Sequence, residues 1–393
     1  MDNLINLATD TINKQDVDSL IEWLRTYPRL TKGKLTEQFE DKWSSWLGTK
    51  YSIFCNSGSS ANLLMLASLL EGNYIQSNSK VVVPALAWAT DLSPVIQLGL
   101  TPILCDINME DLSVDLEVLE NIFKNDNPSV LILVSVLGLV PKMRSLVRLC
   151  QKYNVILLED VCESIGSRYK EQKLGTFGLI SSFSTYFGHH ISTIEGGVVS
   201  TDDKKLMNII KSIRSHGWDR DMDTHSQTKL RNEWEIDEYN SLYTFYYSGF
   251  NVRSTDLQAF IGLEQLNKLD HICIQRNKNY RLYDKLIIND YWKAKNDKDK
   301  FISNFAFPVI HPNKEIIVKM LKKYQIETRP LICGSLGMQP FYRKKWGKVE
   351  LPNVSKVDKY GFYLPNHALL SEKDIKRVSD IVNSGIRKEH IEQ

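Results

Sequence analysis

The segment Ser182–Gly197 reads S-F-S-T-Y-F-G-H-H-I-S-T-I-E-G-G, and the interpretation of the whole chain turns on it. It opens as an alternating aromatic strand, breaks at Gly188, presents His189 and His190 side by side, and closes on Glu195-Gly196-Gly197. A second strand, Val198–Thr201, comes next. Polar side chains at a strand end, fixed by glycines, are where α/β enzymes usually place reactive groups. A Gly-rich turn carrying two solvated histidines would read the same way, so the pattern alone leaves both open. A metal site at the histidine pair is not expected, because adjacent residues point in different directions and no third close ligand accompanies them.

Toward the N-terminus, Val155–Leu158 reads as a buried strand ending in Glu159-Asp160-Val161-Cys162-Glu163. Asp160 at a strand's carboxyl end suits ligand contact or capping of a following helix. Tyr169–Phe177 reads as a hairpin turning at Glu171-Gln172. Further strands are expected at Tyr51–Cys55, Lys80–Val83, Thr101–Asp106 and Val130–Val136, with helices at Ala61–Leu70, Val114–Lys124 and Met143–Tyr153. This alternation predicts an α/β fold with a largely parallel sheet covered on both faces. Asn56-Ser57-Gly58-Ser59-Ser60 leads a strand into a helix, where free N–H groups and the helix dipole suit a phosphate. Trp88, in a loop after Pro84, reads on its own as a core aromatic. Two helices begin the chain, over 13–27 and through Phe39, Trp43 and Trp46 to a cap at Gly48.

Toward the C-terminus, a helix at Lys204–Ile213 precedes Arg214-Ser215-His216-Gly217. Asp219, Asp221 and Asp223 imitate a calcium loop, but Thr224 stands for its glycine and Leu230 for its glutamate, so calcium is rejected. Residues 221–248 read as a surface excursion, polar and then aromatic, meeting a partner subunit or a substrate. Thr255-Asp256 caps a helix expected over Leu257–Leu269. Beyond residue 270 come shorter elements: strands at Phe301–Pro308 and Glu327–Leu331, and helices at Glu315–Tyr324 and Ser371–Ser384. The expected division is a large domain over 1–269 and a small α+β domain over 270–393.

Composition narrows the function class. The 393 residues are 42% hydrophobic and 24% charged, ordinary globular values. A formal net charge of +2 gives no electrostatic reason to expect a nucleic-acid partner. No apolar run approaches a membrane span, and Met1-Asp2-Asn3-Leu4 lacks the plan of a signal peptide, so a cytoplasmic protein is expected. The six cysteines are scattered with no C-x-x-C pair and read as buried thiols.

Taken together, these motifs resemble the DegT/DnrJ/EryC1/StrS family of sugar-nucleotide aminotransferases. Ser184 matches the serine that opens the family's active-site segment, and Glu195-Gly196-Gly197 its end. The family's cofactor lysine, five residues after that serine, is His189 here, and no lysine occurs between Lys173 and Lys204. Imidazole cannot form a Schiff base, and the replacement is similar to that in a branch of 3-dehydratases acting on 4-keto-6-deoxy sugar nucleotides. The resemblance implies a pyridoxal-phosphate-dependent transferase fold of type I, similar to aspartate aminotransferase. It also implies pyridoxamine or pyridoxal phosphate as cofactor, held noncovalently. Gly58, Ser59 and Ser184 would hold its phosphate, Trp88 would stack on its ring, and Asp160 would pair with its pyridinium nitrogen. Glu163 would sit near its hydroxyl, where relatives usually carry Gln or His. Gly249–Asp256 resembles a G-x-N-x-R segment whose Asn251 would cross a homodimer interface to the other subunit's phosphate. Arg329 would face the substrate.

The reaction that this resemblance implies is a dehydration at C3 of a nucleotide-linked 4-keto-6-deoxyhexose. GDP-4-keto-6-deoxy-D-mannose is the expected substrate, and CDP- or dTDP-linked hexuloses are the alternatives. His189 would be the base, with an unperturbed pKa near neutrality. His216 would assist as an acid or contact the cofactor. L-glutamate would regenerate the pyridoxamine form. Without a cysteine cluster, no iron–sulfur cluster or partner reductase is expected. Other readings are an aminotransferase recruiting Lys32 or Lys170, and a non-catalytic sugar-nucleotide-binding relative.

Overall fold

The computed structural model describes residues 4–388. Residues 1–3, most of the Met1–Leu4 stretch that lacks a signal-peptide plan, and residues 389–393 lie outside the described residues. Seven strands form the main sheet: β1 (Tyr51–Cys55), β2 (Lys80–Pro84), β3 (Thr101–Cys105), β4 (Val130–Val134), β5 (Ile156–Asp160), β6 (Ile180–Ser184) and β7 (Gly197–Thr201). Their order is β1-β7-β6-β5-β4-β2-β3. From β3 through β2, β4 and β5 to β6 the pairs are parallel, while β7 runs antiparallel to both β6 and β1. Continuous apolar runs such as V-L-I-L-V in β4, buried at every position, are what a sheet covered on both faces requires. Strand β7 reverses because the segment joining it to β6 contains no helix to carry a crossover. The carboxyl ends of β1, β2, β4, β5 and β6 therefore share one edge, and β7 begins there.

A second antiparallel sheet, β8 (Phe307–Ile310), β9 (Arg329–Pro330) and β10 (Gly361–Leu364), has the order β8-β10-β9; the helix Pro352–Tyr360 contacts β10, and the helices Lys314–Lys323 and Glu372–Ile386 pack against each other.

Several expectations are corrected. The strand expected at Phe301–Pro308 is two pieces: Lys300–Phe301 pairs with Arg168–Tyr169, and β8 begins at Phe307. Between them the backbone is drawn off by Ser167 Oγ, which accepts from Ser303 N at 2.9 Å, and by the Leu137 carbonyl, which accepts from Phe305 N at 3.0 Å. The helix expected to stop at Leu269 runs from Asp256 to Leu286, past residue 270, because Ile272, Cys273, Tyr280 and Tyr283 extend its buried face. The hairpin turns at Lys170-Glu171, one residue early, with Lys170 in the left-handed region. The polar excursion holds a helix, Thr224–Glu233, capped by Asp223. The three aspartates that imitate a calcium loop are each engaged: Asp219 with Arg231, Asp221 with Lys32 and Arg214, Asp223 at that cap.

Candidate active site

The site grows from the shared sheet edge. After β1, Ser57 caps the helix Gly58–Glu71 by accepting from Ser60 N at 3.1 Å, which leaves the N–H groups of Gly58 and Ser59 outside the helical ladder. A Cβ on Gly58 would lie 2.7 Å from the Ser184 Cβ, and one on Gly197 would lie 2.1 Å from the Ser57 carbonyl oxygen. Only glycine at both positions lets the turn close against the end of β6 and the start of β7. The last glycine of the Glu195-Gly196-Gly197 signature is thus a packing requirement of the Ser57–Ser60 turn.

This unit borders a cavity of about 360 Å³. Gly58, Ser59, Trp88, Asp160, Glu163, Ser184 and His189 all line it, together with Asn62, Asp91, Tyr186, Phe305 and Tyr363. No lysine or arginine is among its lining residues.

The carboxylates are the dominant electrostatic feature. Asp160, at the end of β5, accepts from Asn62 Nδ2 at 2.7 Å and from Cys162 N at 2.8 Å. Asn62 also donates to Asp91 at 3.1 Å and accepts from Ser182 Oγ at 2.5 Å, so one amide spaces two buried acids. Burial, and then the charge of Asp160, push the Asp91 carboxyl well above the usual carboxylate range. Burial pushes Glu163 up to about 8, against the hydrogen bond it accepts from Leu137 N at 2.7 Å. Leu137 meets Glu163 from a left-handed backbone, φ 51°. Four carboxyl groups around one cavity, Asp91, Asp160, Glu163 and Glu195, with no lysine or arginine in its lining, suit a cationic ring or ammonium.

His189 projects from the loop after β6. Its ring packs against Phe305 with centroids 5.2 Å apart, and its buried Nδ1 has no protein partner. Burial lowers its pKa to about 4, with the charge of Asp160 opposing. Burial thus favours the neutral ring, able to accept a proton but less basic than free imidazole. His190 turns away, its Nε2 3.1 Å from the Ser303 carbonyl oxygen.

Three expected residues are not brought to this cavity. His216 holds a left-handed backbone, φ 66°, and packs edge-on to Trp218 at 5.1 Å. Asn251 is exposed and bridges to Ser215. Arg329 is exposed and bonded to Glu327 and the Thr328 carbonyl. The lysines named as alternative Schiff-base formers lie elsewhere: Lys32 is 3.0 Å from Asp221, and Lys170 is 3.9 Å from Asp299.

Residues 10–383 match the DegT/DnrJ/EryC1/StrS aminotransferase family. The chain belongs to that family. Its similarity includes GDP-4-keto-6-deoxy-D-mannose 3-dehydratase of Yersinia pseudotuberculosis, 30% identical over 386 residues, covering 96% of this chain and 97% of that protein. A crystal structure of GDP-4-keto-6-deoxymannose-3-dehydratase with a trapped PLP-glutamate geminal diamine superposes with a TM-score of 0.86 at 27% identity, covering 96% of this chain and 100% of that one. A mutant of the same enzyme with bound GDP-perosamine superposes equally well, TM-score 0.86 at 28% identity, over 97% of this chain and 100% of that one. The fold is that of the pyridoxal-phosphate-dependent aminotransferases.

Among DegT-family signatures, the sequence motifs lead to the Ser57–Ser60 turn and the β5 and β6 ends, which all border the cavity. They do not lead to Asn62, Asp91 or Phe305. Asp91 did leave a signal: it sits three residues after Trp88 and accepts from the Trp88 N–H at 3.0 Å, a helix-start pattern. Asn62 and Phe305 reach the cavity only through folding.

Proposed function

We propose that this protein is a pyridoxamine-phosphate-dependent 3-dehydratase of a nucleotide-linked 4-keto-6-deoxyhexose, with GDP-4-keto-6-deoxy-D-mannose as substrate and L-glutamate as the amino donor that restores the cofactor. The observation that carries the reading is His189, in the family's lysine position, facing a cavity with four carboxyl groups and no lysine. The substrate assignment rests on the named 3-dehydratase relatives, and glutamate on the trapped adduct in one of them.

The residues present fit the cofactor. Gly58 and Ser59 offer free helix-start N–H groups and Ser184 a hydroxyl for its phosphate. Trp88, 56% exposed in the single chain, presents an open aromatic face for its ring. Asp160, oriented by Asn62 and Cys162, is the anion for a protonated ring nitrogen. Glu163, protonated at neutral pH before the cofactor's charge is added, can donate to the phenolic oxygen. Bound pyridoxamine phosphate supplies an amine for the C4 ketone and a ring that accepts electrons. His189 takes the proton released at the carbon bearing that amine and can return one to the departing C3 hydroxyl. The ring of Phe305 beside it keeps water from the imidazole face.

The assembly belongs to the same reading. Tyr239 and Tyr243 are 81% and 76% exposed on the excursion that precedes Asn251. We assign this face to a homodimer interface, with Asn251 reaching the other subunit's cofactor phosphate, His216 assisting as an acid or contacting the cofactor, and Arg329 facing the substrate. A cytoplasmic location fits too; no helix among the described residues is long and apolar enough to cross a membrane. Borohydride reduction followed by mass spectrometry tests the lysine-free site. No lysine should carry a pyridoxyl tag, whereas a tag on Lys32, Lys170 or any other lysine would make the protein an aminotransferase.

A further inference from the structure

We propose that Arg276 is a positioning residue for His189, clasping the backbone of the catalytic loop to two segments from the C-terminal part of the chain. The inference rests on the reading of His189 as the base. Arg276 lies in the helix Asp256–Leu286 and is 3% exposed. Its Nη2 donates to the His189 carbonyl at 3.1 Å. Its Nη1 faces the carbonyls of Phe305 at 2.9 Å, Asn366 at 2.5 Å and Asn304 at 3.4 Å.

A buried guanidinium is costly unless paired. Among the described residues no carboxylate pairs with Arg276, and burial lowers its pKa to about 10. An apolar side chain would fill the same space without that cost. What the planar fork adds is geometry: its two ends reach carbonyls from three separate stretches of chain. One of these belongs to His189. Another belongs to Phe305, whose ring lies 5.2 Å from the imidazole. One side chain therefore sets both the backbone that carries the base and the ring that flanks it. The clasp is closed by Asn366, whose Nδ2 donates to the Arg276 carbonyl at 3.1 Å and the Asn304 carbonyl at 3.0 Å. It extends to the cavity's far wall, because Phe305 N donates to the Leu137 carbonyl and Leu137 N to Glu163. The positive charge of Arg276 also disfavours protonation of His189, while Asp160 favours it.

Two variants of the pyridoxamine-phosphate-loaded protein test this. Arg276→Lys keeps the charge but cannot span the carbonyls, and Arg276→Met removes both. Both should lower kcat at least about tenfold, with cofactor affinity and the KM for GDP-4-keto-6-deoxy-D-mannose changed less than about threefold. In ¹⁵N-histidine spectra, the His189 signal, assigned by its loss in His189→Asn, should titrate at higher pH in Arg276→Met than in wild type. In Arg276→Lys it should keep the wild-type midpoint but broaden as the ring loses its single setting. Normal kcat in Arg276→Lys, or a fall in kcat matched by lost cofactor affinity, would overturn the proposal. If Arg276→Met does not fold, the kcat and line-shape results for Arg276→Lys decide alone. A wild type that fails to dehydrate sinks the dehydratase reading, while an unchanged His189 signal in both variants sinks this one.

Discussion

At position 189 an imidazole stands where the family's Schiff-base lysine would, and the surrounding carboxylates remain. That combination predicts a simple reversal. His189→Lys should bind pyridoxal phosphate covalently, seen as a borohydride-fixed pyridoxyl tag on the introduced lysine, and should lose dehydration. A variant that dehydrates normally and takes up no tag would break the assignment of His189. Asp160 makes a second prediction at this scale. Asp160→Asn keeps the side chain's size but removes the charge opposite a protonated ring, and its single amide oxygen can accept from only one of Asn62 and Cys162. Its kcat should fall at least about tenfold, about 1.4 kcal/mol of barrier. Circular dichroism should be unchanged, and a smaller loss in kcat would count against the pairing.

The element that joins the proposed cofactor turn to the loop carrying His189 is the contact between Ser57–Ser60, the end of β6 and the start of β7. Gly197→Ala would drive a Cβ into the Ser57 carbonyl, so the turn must move. Affinity for pyridoxamine phosphate should drop at least about tenfold while far-UV circular dichroism is kept, since the strands themselves are apolar and buried. Equal affinity, measured by fluorescence titration, would show that the turn does not hold the phosphate. The seven strands of the main sheet were legible from two patterns between turn residues: short apolar runs such as Val130–Val134, and polar–apolar mixtures such as Ile180–Ser184. The helices Pro340–Trp346 and Pro352–Tyr360 were not, because proline at the first helical turn reads as a loop. Phe301–Pro308 misled for a different reason: its apolar pattern is genuine, but side-chain and loop acceptors distant in sequence capture its middle. The same limit hid Arg276, since nothing in the local sequence of a long helix marks which arginine will meet three distant carbonyls.

Over the whole molecule, burial holds both His189 and His367 down to about 4, so below their usual pKa the unfolded chain takes up protons that the native chain refuses. Their contribution is complete above about pH 6.5 and is lost as pH falls toward 4. Glu163 acts oppositely, its contribution being lost as pH rises through about 8. Because the raised carboxyls Glu163, Asp91 and Glu159 pull the other way over this range, the test is a difference: from pH 6.5 to 4 the Tm of cofactor-free His367→Gln should rise relative to wild type, and parallel curves would exclude His367 as a source. If sites are shared across a dimer, mixing inactive Asn251→Ala with inactive His189→Asn should restore roughly a quarter of wild-type activity by subunit exchange, because half of the dimers then hold one intact site. No recovery would confine each site to one chain. The proposed cycle is dehydration without a lysine, closed by glutamate alone. Purified protein given GDP-4-keto-6-deoxy-D-mannose, pyridoxal phosphate and L-glutamate, with no reductase, should form the 3-deoxy-4-keto sugar nucleotide and release ammonia and 2-oxoglutarate in equal amounts. An amino sugar formed without free ammonia, or turnover only after a reductase is added, would contradict it.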